Sequence, residues 1–277
     1  MSQYICVDIG GTSIKHGVLD ENAIIKECNQ TKTEAWLGGA AVLDKVKTIG
    51  KQYKEQYENI EGICISTAGM VDPEEGKIVF AGELMPDYTG TCIKKELEKA
   101  LEMPCEVEND VNCAGLAEYV SGSAKESHIM FCATVGTGIG GCAIVNGRVF
   151  HGASNSACEV GYIPMGDSDF QTLGASSILV RKVAEKKIEP LDMWDGKKIF
   201  ALAEKGDKVC ISAIKEMCDV LGKGLATICY VLNPDTIVLG GGIMVQKKIL
   251  ENEIRDSLNR YLRPILAEHL QVCFAEY

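Results

Sequence analysis

Thr134-Val135-Gly136-Thr137-Gly138-Ile139-Gly140-Gly141 carries G-x-G-x-x-G at Gly136, Gly138 and Gly141, and the residues just after it decide the fold. A dinucleotide-binding fingerprint requires a helix directly after its glycines. The chain continues instead as Cys142-Ala143-Ile144-Val145-Asn146-Gly147-Arg148-Val149-Phe150, which reads strand, turn, strand. The glycines therefore bend a β-hairpin, and the dinucleotide reading fails on context. Such a bend lets backbone N–H groups approach phosphate oxygens, with Thr137 and Gly138 set to grip the outer phosphates of a nucleotide.

The N-terminus opens in the same way. Tyr4–Asp8, Ser13–Leu19 and Ala23–Cys28 read as strands, separated by Gly10-Gly11 and Asp20-Glu21-Asn22. In Asp8-Ile9-Gly10-Gly11-Thr12-Ser13 an acid at a strand end precedes two glycines and two hydroxyls, a pattern that suits a hydrated Mg²⁺ oriented by Asp8 beside a phosphate. A plain Gly-Gly hairpin gives the same letters. A third glycine turn, Gly240-Gly241-Gly242, lies between the buried strand Thr236–Leu239 and an amphipathic helix near Gln246–Leu262. Three such turns, each ending an apolar strand, favour a nucleotide ligand over three unrelated bends.

Between the hairpins the pattern alternates. Helices are expected near Gly39–Gln56, around Ile93–Leu101, over Asp110–Val120 and over Cys210–Leu232, where Ile214, Cys218, Leu221, Leu225, Cys229 and Leu232 recur at helical spacing. Strands are expected at Ile60–Thr67, Cys105–Glu108, His128–Val135, Gly141–Val145, Arg148–His151 and Gln271–Ala275, with Ala68-Gly69 and Asp72-Pro73 breaking the chain into a loop. Each half thus starts with a glycine-bent hairpin and proceeds to helices and strands. The pattern implies two related α/β domains, 1–120 and 121–277, facing each other across a cleft.

Two carboxylates stand out. Asp110, in Glu108-Asn109-Asp110-Val111-Asn112, falls where a strand ends and a helix begins, a helix N-cap position. There it stays ionised and is able to accept the proton of a hydroxyl attacking a phosphoryl group. Asn109 beside it has donors and acceptors for sugar hydroxyls. Glu159, in Ala157-Cys158-Glu159-Val160-Gly161-Tyr162, sits among small residues rather than on a solvated helix face. A carboxylate there suits two vicinal hydroxyls.

Composition removes other classes. The 277 residues are 46% hydrophobic and 24% charged, which fits globular domains and excludes disorder or a coiled coil. A net charge of −11 without a basic patch argues against nucleic acid as a partner. No apolar stretch reaches the roughly 20 residues of a membrane span, and the opening Met1-Ser2-Gln3-Tyr4 has no leader pattern. The thirteen cysteines fall singly and mostly in apolar runs, so they read as reduced core residues of a cytoplasmic protein.

Taken in order, these motifs resemble the ROK family of sugar kinases and sugar-responsive repressors. The match runs from Val7–Thr12 through Ser66–Asp72, Glu108–Asn112, Thr134–Gly141, Gly147–Gly152 and Glu159–Gly161 to Leu239–Gly242. The resemblance implies a two-domain hexokinase/actin-like (ribonuclease H-like) α/β ATPase fold with a central cleft. It implies ATP as donor, Mg²⁺ as its partner and a sugar hydroxyl as acceptor, usually O6 of a hexose or β-glucoside. It assigns Asp110 as general base, Asn109 and Glu159 as sugar ligands and Gly69 as a wall of the sugar pocket. Asp8, Gly10, Gly11, Thr12, Thr137, Gly138 and Gly241 would line the nucleotide side, and the protein would be a homodimer, as members are commonly dimers or tetramers. The repressors' N-terminal helix-turn-helix has no room before Tyr4.

The chain departs from the family at three places. Tyr162 stands where many members have a histidine followed by a C-x-C-G-x-x-G-C zinc loop, and Ile163–Phe170 contains no cysteine, so no structural zinc is expected. This pattern resembles the short β-glucoside kinase type. Ser13 replaces a lysine common after Gly-Gly-Thr, with Lys15 two residues on. The resemblance implies a further glycine turn and helix after Gln271–Ala275, whereas the sequence stops at Tyr277, so either that helix is lost or the chain is truncated. A regulator of the same family without catalysis is the alternative function, against which the intact Asp110 argues. An acyl-phosphate or amino-sugar kinase on the same fold is another, and Asn109, Asp110 and Glu159 favour a polyhydroxylated acceptor.

Overall fold

The computed structural model describes residues 2–82 and 85–277. Contacts divide the chain into two compact units, Met1–Cys113 with His151–Ser156, and Ala114–Phe150 with Ala157–Tyr277.

In the first unit, β1 (Gln3–Ile9), β2 (Ser13–Asp20) and β3 (Ile25–Lys32) form an antiparallel meander. Helix α1 (Gly39–Gln56) leads to β4 (Ile60–Thr67), and the small hairpin β5 (Met70–Asp72) and β6 (Lys77–Phe80) precedes α2 (Ile93–Leu101) and β7 (Cys105–Asn109). The sheet order is β3-β2-β1-β4-β7, with β4 and β7 parallel to β1. Period-two alternation buries Ile5, Val7 and Ile9 of β1, with Ile63 and Ile65 of β4 and Val107 of β7. They join Val42, Val46 and Ile49 of α1 and Leu97 and Leu101 of α2 in one core. Each such aliphatic side chain contributes about 1.5–3 kcal/mol on burial. The opposite face of β1 presents Cys6 and Asp8, which are half-buried.

Helix α3 (Asp110–Val120) starts in the first unit and ends in the second. The second unit repeats the first unit's topology: β8 (Ile129–Val135), β9 (Ile139–Val145) and β10 (Arg148–Val149) make the meander. After β11 (Pro164–Met165) and β12 (Ser168–Asp169) come α4 (Phe170–Gly174), α5 (Ser176–Lys187), α6 (Gly196–Glu204) and α7 (Lys208–Leu232). Then come β13 (Thr236–Gly240), α8 (Lys247–Tyr261), α9 (Pro264–Ala267) and β14 (Gln271–Phe274). The order β10-β9-β8-β13-β14 is the first sheet's order with each strand replaced by its counterpart. Helix α7 carries much of this core, with Ala213, Met217, Leu221, Leu225 and Cys229 buried. Phe170 packs so closely on α7 that a Cβ at Gly224 would lie 2.3 Å from its ring. Among the described residues no helix is long and apolar enough to cross a membrane.

Three sequence-based expectations need correction. Ala23 belongs to the turn, with φ +60° and Asp20 accepting from the Asn22 and Ile24 N–H groups, so β3 starts at Ile25 and runs on through polar Asn29–Lys32 as an exposed edge strand. The segment after Gly69 is the β5–β6 hairpin rather than an open loop. β10 stops at Val149, because His151 leaves the sheet to meet Glu108.

Candidate active site

The site residues of the first unit cluster at the carboxyl ends of β1, β4 and β7. The parallel register pairs Asp8 with Ser66 and Thr67 with Asn109. Ser66 Oγ donates to Asp8 Oδ1 at 2.8 Å, and Lys15 Nζ, across the hairpin, lies 3.9 Å from Asp8 Oδ2. The Asp8 side chain nonetheless keeps 44% of its surface exposed. Gly11 and Thr12 are exposed in the turn after β1, and Gly10 is half-buried. Buried Thr33 braces this turn from behind: its hydroxyl donates to the Gly10 carbonyl at 2.6 Å and its N–H to the Thr12 carbonyl at 3.0 Å.

At the end of β7, Asn109 rather than Asp110 caps α3. Asn109 Oδ1 accepts from the Val111 and Asn112 N–H groups at 2.9 and 3.1 Å. Its amide nitrogen donates to the Gly69 carbonyl at 2.9 Å and to Asp110 Oδ1 at 3.0 Å. Gly69 is obligatory where it stands: its φ is +102°, and a Cβ would strike the Phe80 carbonyl at 2.8 Å. Glu108 holds the junction, with Oε1 accepting from the Asn109 N–H and from Asn112 Nδ2, and Oε2 meeting His151 Nε2 at 2.7 Å.

Asp110 is solvent-exposed on one side and enclosed by protein on the others. That burial pushes its carboxyl above the usual range, and the nearby Asp8 charge adds to the effect. Hydrogen bonds from the Val111 N–H and Asn109 oppose it. A carboxylate so placed is a better proton acceptor than a free aspartate.

The second unit holds the remaining predicted residues. Gly136 N–H donates to the Gly138 carbonyl, closing the β8–β9 turn, and Ser176 and Ser177 hydroxyls donate to the Gly136 and Thr137 carbonyls at 2.6 and 2.7 Å. A pocket of about 540 Å³ opens there, lined by Gly136, Thr137, Ser176, Ser177, Asp195, Lys197, Gly242 and Gln246 among others. Gly241 stands next to this lining with φ +99°, and a Cβ would meet the Val135 carbonyl oxygen at 2.4 Å, so no other residue fits. Glu159 is exposed at a tight turn in which the Val160 N–H reaches the Cys158 carbonyl at 2.6 Å, Cys158 itself having φ +67°. This turn packs on β9, where a Cβ at Gly141 would touch the Cys158 carbonyl.

Ser66, Thr33, Glu108 and His151 of the first unit, and Ser176, Ser177, Asp195 and Lys197 of the second, were missed by sequence reasoning. Ser66 lay in a quoted motif, but its pairing with Asp8 depends on strand register. Glu108 and His151 likewise lay in the Glu108–Asn112 and Gly147–Gly152 motifs, but their contact depends on chain reversal, whereas Thr33, Ser176, Ser177, Asp195 and Lys197 carry no local pattern. Downstream of Tyr162, Pro164–Asp169 forms the β11–β12 hairpin, and among the described residues no group of three or more His, Cys, Asp or Glu side chains could hold a metal ion. None of the described cysteines is in a disulfide.

Two glycine-bent hairpins on sheets of matched order define an α/β protein with the hexokinase/actin-like fold. The ROK family model matches residues 4–276, and the chain belongs to that family. An uncharacterised protein of Clostridium perfringens is 44% identical over 277 residues, covering 100% of this chain and 93% of its own. A β-glucoside kinase of Klebsiella pneumoniae is 31% identical over 245 residues, covering 86% of this chain and 80% of its own. A ROK family glucokinase from Streptomyces griseus, solved with glucose and AMPPNP, superposes with a TM-score of 0.83 at 27% identity, covering 99% of this chain and 95% of that one.

Proposed function

We propose that this chain is an ATP-dependent sugar kinase that phosphorylates a hydroxyl of a hexose or β-glucoside, O6 in the favoured case. The observation that carries the reading is Asp110: an exposed carboxylate at the first residue of α3, with a raised proton affinity and a neighbouring amide that orients it. Such a group takes the proton of an attacking hydroxyl as the oxygen–phosphorus bond forms. Asn109 and Glu159 hold the acceptor's other hydroxyls, and Gly69 walls the pocket. The β-glucoside kinase and the glucokinase–glucose complex among the relatives support a sugar as acceptor.

On the donor side, exposed Gly11 and Thr12 with half-buried Gly10 would present turn backbone to phosphate, as would exposed Thr137 with half-buried Gly138. The pocket beside Gly241 is of a size to take the nucleoside, since ligand pockets run to about 300–1,000 Å³. Asp8 suits Mg²⁺ held through water: it is a hard oxygen donor, half-exposed, steadied by Ser66 and not closed off by a short ion pair. When bound, the ion neutralises phosphate charge; this chain's residues orient the two substrates and move the proton.

The test is product detection. Purified protein with ATP and Mg²⁺ is incubated with glucose, mannose, N-acetylmannosamine, cellobiose and gentiobiose, and phosphorylated sugar is sought by mass spectrometry. A sugar monophosphate formed with equimolar ADP is expected. Folded protein that binds ATP yet yields no phosphosugar from any of them would refute the reading in favour of a binding-only regulator.

A further inference from the structure

Asp8 and Ser66 share their sheet face with two thiols. Strands β1 and β4 run parallel, and the register that pairs Asp8 with Ser66 pairs Cys6 with Cys64 one pleat away. Alternation puts Cys6 on the Asp8 face and Cys64 on the Ser66 face, and the Ser66–Asp8 hydrogen bond establishes that these faces coincide. Neighbouring strands lie about 4.8 Å apart, inside the Cα separation of about 4.4–6.8 Å that a disulfide spans. Cys64 is exposed and Cys6 half-buried.

We propose that Cys6 and Cys64 form a modification site for hydroperoxides, closing to a reversible disulfide between β1 and β4. Cys64, as thiolate, attacks one peroxide oxygen: an S–O bond forms, the O–O bond breaks, and the departing oxygen takes up a proton as alcohol or water. The Cys6 sulfur then attacks the Cys64 sulfenic acid: S–S forms, S–O breaks, and the hydroxide leaves as water with the Cys6 proton. The two thiols lose two electrons and the hydroperoxide gains them.

The electrostatics agree with this division of labour. The Cys6 thiol beside it holds Cys64 below the usual thiol range against burial and the Glu106 charge, and Cys64 is the exposed member of the pair while Cys6 is half-buried. A low thiol pKa together with exposure marks the reactive member of a pair. Core thiols such as Cys132 and Cys218 are pushed up to about 12 by burial, as is neighbouring Cys113. Cys28 is also exposed, but its register partner is Gly17 and no second thiol faces it across the pair. Residues directly opposite on adjacent strands sit near the short end of the disulfide range, where strain makes the bond readily reduced.

The test uses the full chain and hydrogen peroxide, read by non-reducing peptide mapping, so it does not depend on kinase activity. The expected result is one cross-linked species joining the peptides of Cys6 and Cys64, two hydrogens lighter than the dithiol and reversed by dithiothreitol. Cys6→Ser should lose the link and accumulate a dimedone-trapped sulfenic acid at Cys64. Cys64→Ser, at an exposed position, should lose both products and serves as the deciding variant if Cys6→Ser does not fold. Cys64 reacting no faster than Cys28, or pairing with Cys113 in place of Cys6, would overturn the proposal. Any fall in turnover on oxidation rests additionally on the kinase reading, and the disulfide map stands or falls without it.

Discussion

Asn109→Ala removes a side chain with two separable tasks. Its Oδ1 caps α3 through Val111 and Asn112, and its amide nitrogen ties the Gly69 carbonyl and Asp110. Loss of such a cap costs about 1 kcal/mol, and loss of a half-buried neutral hydrogen bond to Gly69 about 1 kcal/mol more. The contact with exposed Asp110 adds little to stability. The expected total is therefore about 2 kcal/mol. Asn109→Asp keeps the capping oxygen and sets it at a helix N-terminus, where negative charge is favourable. It loses the Gly69 bond, so about 1 kcal/mol is expected. It also places a second carboxylate against Asp110, which should raise that group's proton affinity further. Urea titration followed by circular dichroism measures both, read on the transition that carries the first unit and compared at equal m. Asn109→Ala within about 0.5 kcal/mol of the parent protein, or Asn109→Asp more destabilised than Asn109→Ala, would refute this account of the junction.

Single contacts yield further expected outcomes. Gly241→Ala forces a side chain into φ +99° and onto the Val135 backbone, and should cost about 2 kcal/mol or more in stability and weaken ATP-analogue binding measured by calorimetry. Glu118 is buried and accepts from the Ser123 N–H and hydroxyl and from the Glu276 and Tyr277 N–H groups, so Glu118→Ala should cost about 3 kcal/mol and speed hydrogen exchange at Glu276 and Tyr277. Asp207 is held down to about 2 by Lys187 and by capping α7. Its folded value lies below its unfolded one, so its contribution is complete above the unfolded pKa and fades as pH falls toward 2. Asp207→Asn, which retains a capping oxygen, should lose stability at neutral pH and converge on the parent protein through that acid window, as thermal melts at stepped pH will record.

Legibility in the sequence depended on the range of each interaction. The bounds of α1, β4 and α3 reflect local periodicity and flanking breakers, and the structure reproduces them at Gly39–Gln56, Ile60–Thr67 and Asp110–Val120, while α2, expected from the spacing of Ile93, Leu97, Ala100 and Leu101 to end before Pro104, runs over Ile93–Leu101. Strands β5 and β6 escaped notice because three or four residues are too few to set a period. The matched sheet orders were foreshadowed by the two glycine-bent hairpins, yet no single residue encodes which strand β4 or β13 pairs with. The site divides along the same line. Asp8, Asn109 and Asp110 lie in compact motifs. The Glu108–His151 contact spans 43 positions, and Ser66 reaches Asp8 across 58. Those pairs exist because strand register and chain reversal bring them together, and neither is written in local spacing.

The central assignment is Asp110 as the base, and a rate measurement on Asp110→Asn tests it most directly. Sugar-dependent ADP release is followed in a coupled assay with ATP and Mg²⁺, beside calorimetric titration of the variant with an ATP analogue. The account predicts turnover lowered by about two to four orders of magnitude with nucleotide affinity nearly unchanged. For the parent protein it predicts a rate that falls on acidification at a higher pH than an ordinary aspartate would give, because the Asp110 carboxyl is raised and its protonated, inactive form persists further up the scale. Turnover retained within a few-fold in Asp110→Asn would contradict the account.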